Sequence, residues 1–239
     1  MAEPFKNMFN ADTVRTLADR LAEAGPLDVD AFMVDALDGL EELELKDRVR
    51  HISTTLRTHL DPSYPTALAH LVNALPPPLS ECEGVTEGFH IWPFCQFVED
   101  HGVDDPDNSL PALYELTRRF SAEFAIRPFL VEYPERTLAV LGEWAGDDDP
   151  HVRRLCSEGS RPRLPWGLRL QFLVEDPSPT LPILEKLRDD PEEYVRRSVA
   201  NHLNDIAKDN PEFAVEVCRR WMKDASKDRT KLVKHALRG

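Results

Sequence analysis

The chain has 239 residues, 41% of them hydrophobic and 30% charged, and a formal net charge of −14. Its apolar content is enough for a packed core and excludes a disordered chain, while no apolar run is long enough to span a bilayer. The terminus Met1-Ala2-Glu3-Pro4-Phe5-Lys6 lacks a signal-peptide core, and Cys82, Cys95, Cys156 and Cys218 lie far apart without a CxxC pair or zinc spacing, so the expectation is a cytoplasmic protein with idle thiols, no metal and no cofactor.

The pattern is helical almost throughout. Asp12 can cap a first helix running to Ala24, with Val14, Leu17, Ala18 and Leu21 on its apolar face, and Gly25-Pro26 ends it. A second helix is expected from Asp30 to Leu45, a third from Lys46 to Leu60, and a fourth from Pro65 to Leu75, stopped by Pro76-Pro77-Pro78. Residues 80–109 are aromatic, acidic and broken by Gly84, Gly88, Pro93 and Pro106, which predicts an irregular segment with one short helix. The run Phe89-His90-Ile91-Trp92-Pro93-Phe94 with Phe97 is expected in the core, as are Trp144 and Trp221.

From Leu110 onward a repeat takes over. Arg118-Arg119…Glu123, Arg153-Arg154…Glu158 and Arg196-Arg197…Asn201 share one spacing, and a fourth copy begins at Lys234-His235. The copies start 35, 43 and 38 residues apart. Leu130–Arg154 and Leu173–Arg197 also share Leu-Val-Glu-x-Pro-x-x-Thr-Leu and Val-Arg-Arg. Units of this length predict an all-α solenoid of HEAT-like or armadillo-like helical pairs with a concave face, whose recurring basic stripe suits a polyanion. Residues 1–109 then form an acidic amino-terminal helical part and 110–239 the repeats that carry the binding face, in one continuous domain. In the clearest inner helix, Val195, Val199, Leu203 and Ile206 make the apolar stripe, with Arg197, Asn201, Asn204, Asp205 and Lys208 opposite. The same phase lines up Arg154, Glu158 and Arg161 on one repeat and Arg119, Glu123 and Arg127 on the one before.

Charge distribution separates the two parts. Residues 1–110 hold 7 Lys and Arg against 21 Asp and Glu, whereas residues 111–239 hold 22 of each. A neutral repeat region with its cations gathered at recurring positions can present a locally positive face to a polyanion. Glu123, Glu158 and Asp205 interrupt that face. Each alone could pair with a flanking arginine on its helix. Three together suit a chemistry that needs negative charge inside a phosphate-binding surface, such as cleavage of a glycosidic bond through an oxocarbenium-like state. Trp166, after the stiff segment Gly159-Ser160-Arg161-Pro162-Arg163-Leu164-Pro165, either packs between repeats or offers a platform for a base. His202 borders the apolar stripe and is expected to be a packing residue.

The segments Ala122–Leu130, Ser157–Trp166 and Ser198–Ile206 resemble those of AlkC-type DNA alkylation repair glycosylases, HEAT-like repeat proteins related to the AlkD type. The resemblance implies excision of cationic N3-alkylated bases, 3-methyladenine and in this branch 3-methylcytosine, from kinked duplex DNA without flipping the lesion into a pocket. Carried onto matching positions, it implies that Glu123, Glu158 and Asp205 surround the lesion's deoxyribose and that Trp166 contacts the lesion or its sugar. Arg119, Arg127, Arg154, Arg161, Arg163, Arg197 and Lys234 are then expected to hold phosphates. The expected enzyme is a monofunctional glycosylase without lyase activity, working as a monomer on double-stranded DNA with no membrane association. Family members run past the fourth repeat, so a chain ending at Gly239 is expected to be truncated. The rival reading is a non-catalytic repeat scaffold that binds nucleic acid or an acidic protein through the same stripe.

Overall fold

The computed structural model describes residues 4–79 and 88–238, and the expectations attached to Cys82, Gly84 and Gly239 lie outside them. Two compact units divide the chain, residues 1–125 and 126–239. Every regular element among the described residues is a helix, and none is long and apolar enough to cross a membrane.

The first unit contains α1 (Ala11–Ala24), α2 (Val29–Leu37), α3 (Leu45–His59), α4 (Tyr64–Asn73), α5 (Trp92–His101) and α6 (Pro106–Thr117), with short 3-10 turns at Phe5–Met8, Leu40–Glu42 and Phe89–Ile91. The cap of α1 is Asn10 rather than Asp12, because the Asn10 side chain accepts from the amides of Asp12 and Thr13 and leaves Asp12 in the first turn. The second helix is shorter than its hydrophobic pattern predicts. Gly39 takes φ 67, a left-handed conformation that stops α2 before the 3-10 turn. The segment expected to be irregular holds α5, and Pro106 begins α6 instead of breaking a helix, since proline at the first helical positions loses no hydrogen bond. The aromatic run is core as expected. Phe89 meets Phe9, Trp92 and Phe120 with ring centroids 5.4–5.7 Å apart, and Trp92 stacks on Phe124 at 5.6 Å.

The second unit contains α7 (Arg127–Glu132), α8 (Pro134–Trp144), α9 (Pro150–Glu158), α10 (Gln171–Glu175), α11 (Leu181–Leu187), α12 (Glu193–Asp209), α13 (Pro211–Trp221) and α14 (Lys227–Ala236), with a 3-10 turn at Ser178–Thr180. The helical pairs are the predicted repeats. Helix α9 packs on α12 and α12 on α14, so the inner helices of successive repeats lie side by side. Val195, Val199, Leu203 and Ile206 are all buried. Trp221 is fully buried, its indole Nε1 donating to Glu185 Oε1 at 2.9 Å, whereas Trp144 is half-buried. Cys95, Cys156 and Cys218 are buried thiols, and burial raises the pKa of each.

The repeat also carries its own fastening. The Arg153 guanidinium donates to the carbonyls of Asp147 and Asp148 at 3.0 and 2.9 Å and clasps the carboxylate of Asp190 at 2.6 and 3.0 Å. One repeat on, Arg196 donates to the carbonyls of Asp190 and Pro191 at 2.5 and 2.8 Å and lies 3.4 Å from the Asp228 carboxylate. In these two pairs the first arginine therefore ties its own helix start to the next repeat, whereas Arg118 pairs with Glu115 at the end of its own helix.

Candidate functional site

Helix α9 ends at Glu158, and the neighbouring α12 carries Asp205 one layer away. Both stand on amphipathic helices, and both are almost wholly buried, at 5% and 1% exposure. One guanidinium joins them. Arg161, three residues beyond Glu158 in the loop after α9, donates from Nη1 to Glu158 Oε1 at 2.6 Å and from Nε to Asp205 Oδ2 at 2.7 Å. Ser198 Oγ donates to Glu158 Oε2 at 2.5 Å, Arg154 lies 3.5 Å from Glu158 Oε1, and Lys208 Nζ donates to Asp205 Oδ1 at 2.8 Å.

Buried charges persist only with such compensation. Burial works against ionisation of Glu158, but Arg154, Arg161 and the Ser198 hydroxyl outweigh it and hold the carboxyl below the usual carboxylate range. Burial likewise opposes the charge on Arg161, and Glu158 and Asp205 overcome it. Glu158 and Arg161 are therefore both charged at neutral pH. His202 lies fully buried beneath it and donates from Nδ1 to the carbonyl of Ser157 at 2.9 Å, which fixes α12 against the end of α9.

The loop between α9 and α10 brings Trp166 to the surface. Its side chain is 68% exposed and its backbone takes φ 65, so the packing role open to it in the sequence is ruled out. A bulky residue in the left-handed region costs about 1–3 kcal/mol and persists only where its surroundings over-determine it. Leu168 beside it is half-exposed.

The expected phosphate contacts divide sharply. Arg197 on α12 and Lys234 on α14 are exposed. Arg154 is partly exposed, with its guanidinium 5.4 Å from the centroid of the Tyr194 ring. Arg163 is held bidentately by Asp209, both contacts at 2.5 Å. Arg161 is not on the surface, because its guanidinium is buried between two carboxylates. Arg127 is also not a phosphate ligand: it is 0% exposed and donates to the backbone carbonyls of Gly159 and Leu168. Arg119, in the first unit, donates to the Pro76 carbonyl at 2.9 Å and pairs with Glu115.

The alignment of Arg119, Glu123 and Arg127 on one helical stripe is also corrected. Helix α6 ends at Thr117, α7 starts at Arg127, and the residues between form turns, so the helical phase does not run through them. Glu123 accepts from Ser121 Oγ at 2.8 Å in the first unit, whereas Glu158 and Asp205 meet in the second. Ser198 was missed by the reading of the stripe, since a serine on the flank of an apolar face carries no charge pattern. No group of His, Cys, Asp and Glu suited to a metal occurs among the described residues.

Comparison with known proteins gives this arrangement a context. Residues 120–227 match the family described as DNA alkylation repair enzyme. The uncharacterised protein YhaZ of Bacillus subtilis is 37% identical over 218 residues, which cover 90% of this chain and 59% of that protein. The Pseudomonas fluorescens alkylpurine DNA glycosylase AlkC, solved bound to DNA containing an abasic site analogue, superposes with a TM-score of 0.87 at 38% identity over 99% of this chain and 64% of its own. The chain thus spans about three-fifths of the length of these two relatives. The helical repeats and these matches together relate the chain to the DNA alkylation repair enzymes, through residues 120–227, and to AlkC.

Proposed function

We propose that the chain carries the glycosylase activity of alkylation base-excision repair, hydrolysing the N-glycosidic bond of cationic N3-alkylated purines, 3-methyladenine foremost, in double-stranded DNA. The observation that carries this reading is the convergence of two carboxylates, Glu158 and Asp205, on a single guanidinium in the loop that also carries the exposed Trp166. A 3-alkylated adenine leaves as a neutral base, taking the electron pair of the glycosidic bond, so no strong general acid is needed. What remains is a sugar cation at C1′, and a pair of carboxylates stabilises it. Water then adds at C1′ and its proton passes to solvent. A carboxylate held below its usual range is a poor base, so the role of Glu158 is electrostatic rather than proton abstraction.

In the free protein Arg161 occupies the place that a sugar cation would take, and it must withdraw for the acids to act. Displacing one cation with another conserves the local charge balance, which favours a cationic sugar over a neutral one. Exposed Arg197 and Lys234 supply phosphate contacts on the neighbouring inner helices. Glu123 is the third candidate acid.

The test is release of free base from methylated duplex DNA without added metal. Glu158→Gln and Asp205→Asn should each slow excision by about 10²–10³-fold while changing DNA affinity much less. Arg161→Gln should bind duplex containing a cationic azaribose more tightly than the wild type does, relative to duplex containing neutral tetrahydrofuran. Amide variants that excise at the wild-type rate reject the assignment, and DNA binding without base release favours a scaffold.

A further inference from the structure

Arg127 opens α7 and is fully buried, yet it lies at neither the acid pair nor the surface. Its guanidinium reaches both ends of the loop that follows α9: Nη1 donates to the Gly159 carbonyl at 2.7 Å and Nε to the Leu168 carbonyl at 2.5 Å. Between those anchors run Arg161, Arg163 and Trp166. Two further backbone bonds close the loop, Gly167 N–H to the Leu164 carbonyl at 3.1 Å and Leu170 N–H to the Pro162 carbonyl at 3.2 Å. The arginine stem also packs on the residue that follows Trp166. A Cβ placed on Gly167 would stand 3.2 Å from Arg127 Nε and 3.3 Å from its Cδ.

Burying a guanidinium is costly, and an apolar side chain of similar volume would commonly leave a more stable core. The compensation here is geometric. Trp166 needs a strained left-handed backbone, and a loop of this length holds such a residue only if its ends cannot drift. A flat five-donor fork holds carbonyls at the two ends of one loop in a fixed geometry, which the flexible point charge of a lysine does not impose.

Building on the glycosylase reading above, we propose that Arg127 is a positioning residue for that reaction: it clamps the two ends of the 159–168 loop and so fixes Trp166 relative to Glu158. It touches neither DNA nor the reacting atoms. Its effect on excision is transmitted through Trp166.

A double-mutant cycle on single-turnover release of 3-methyladenine from methylated duplex DNA tests this. Arg127→Met should slow excision by about 10–100-fold, since a displacement near 1 Å at the chemistry has that scale of effect, while affinity for undamaged duplex stays near wild type. In a Trp166→Ala background the same substitution should add less than about threefold, because the group it positions is gone. Arg127→Lys, which keeps the charge but loses the planar fork, should fall between, and it carries the cycle if Arg127→Met does not fold. Multiplicative losses overturn the positioning role, as does a parallel loss of affinity for undamaged duplex, which would make Arg127 a phosphate ligand. A wild-type protein that binds DNA without releasing base defeats the glycosylase reading and this inference with it. Wild-type excision with multiplicative losses defeats the inference alone.

Discussion

His202 illustrates how a single buried side chain sets a condition for the whole site. Its Nδ1 must carry the proton, since the Ser157 carbonyl can only accept, and burial pushes the imidazole from 6.5 down to about 4 despite that hydrogen bond. The folded protein therefore keeps His202 neutral where the unfolded chain would protonate it. Its contribution to stability is fully present above pH 6.5 and is lost as pH falls toward about 4. At pH 5 the loss from this group amounts to about 2 kcal/mol. Glu158, held below the usual carboxylate range, adds its own loss only at more acid pH. Urea unfolding at pH 7 and pH 5 should show a smaller drop in His202→Gln than in the wild type, even though His90 and His101 are shifted in the same direction and remain in both. An equal drop in the two proteins would remove His202 from the account.

At the scale of the helices, the paired arginines of the repeat do two different jobs. Arg153 and Arg196 turn toward the starts of their own helices and the next repeat, where Arg153 meets the buried carboxylate of Asp190. Arg197 turns outward. The first arginine is a matter of stability and the second of binding. Asp190→Asn leaves a side-chain oxygen for the turn in which Asp190 Oδ1 accepts from the amide of Glu192 at 2.9 Å, but it removes the ion pair. That substitution should cost about 3 kcal/mol by chemical denaturation, whereas Arg197→Ala should stay within about 0.5 kcal/mol of wild type. Equal effects would show that the repeat's two arginines are not divided in this way.

For the molecule as a whole, the net charge of −14 sits entirely in residues 1–110, while the exposed cations of the inner helices belong to the second unit. A protein that grips a polyanion through its phosphates should show affinity that falls with salt in proportion to the number of those contacts. Arg197→Ala and Lys234→Ala should each flatten the plot of log affinity against log salt by about one unit, uniformly across DNA sequences. An unchanged slope would place the phosphate contacts elsewhere on the chain.

Much of this protein is legible in one dimension. Apolar spacing every three to four residues can be satisfied only by helices, and recurrence of Leu-Val-Glu-x-Pro and Val-Arg-Arg can be satisfied only by repeating their packing, so the all-α repeat follows from local rules. Glu158, Asp205 and Trp166 also stand out in the sequence, as acids inside a basic stripe and an aromatic after a stiff turn. Where arginine side chains go does not follow from such rules. A guanidinium reaches far enough to choose among a phosphate, a carboxylate in the next helix and a carbonyl across a loop, and sequence spacing is the same in each case. Tertiary structure made that choice: Arg161 went between two carboxylates, Arg153 to the next repeat and Arg127 into the core, because each buried polar group there needed a partner that only another part of the chain could bring.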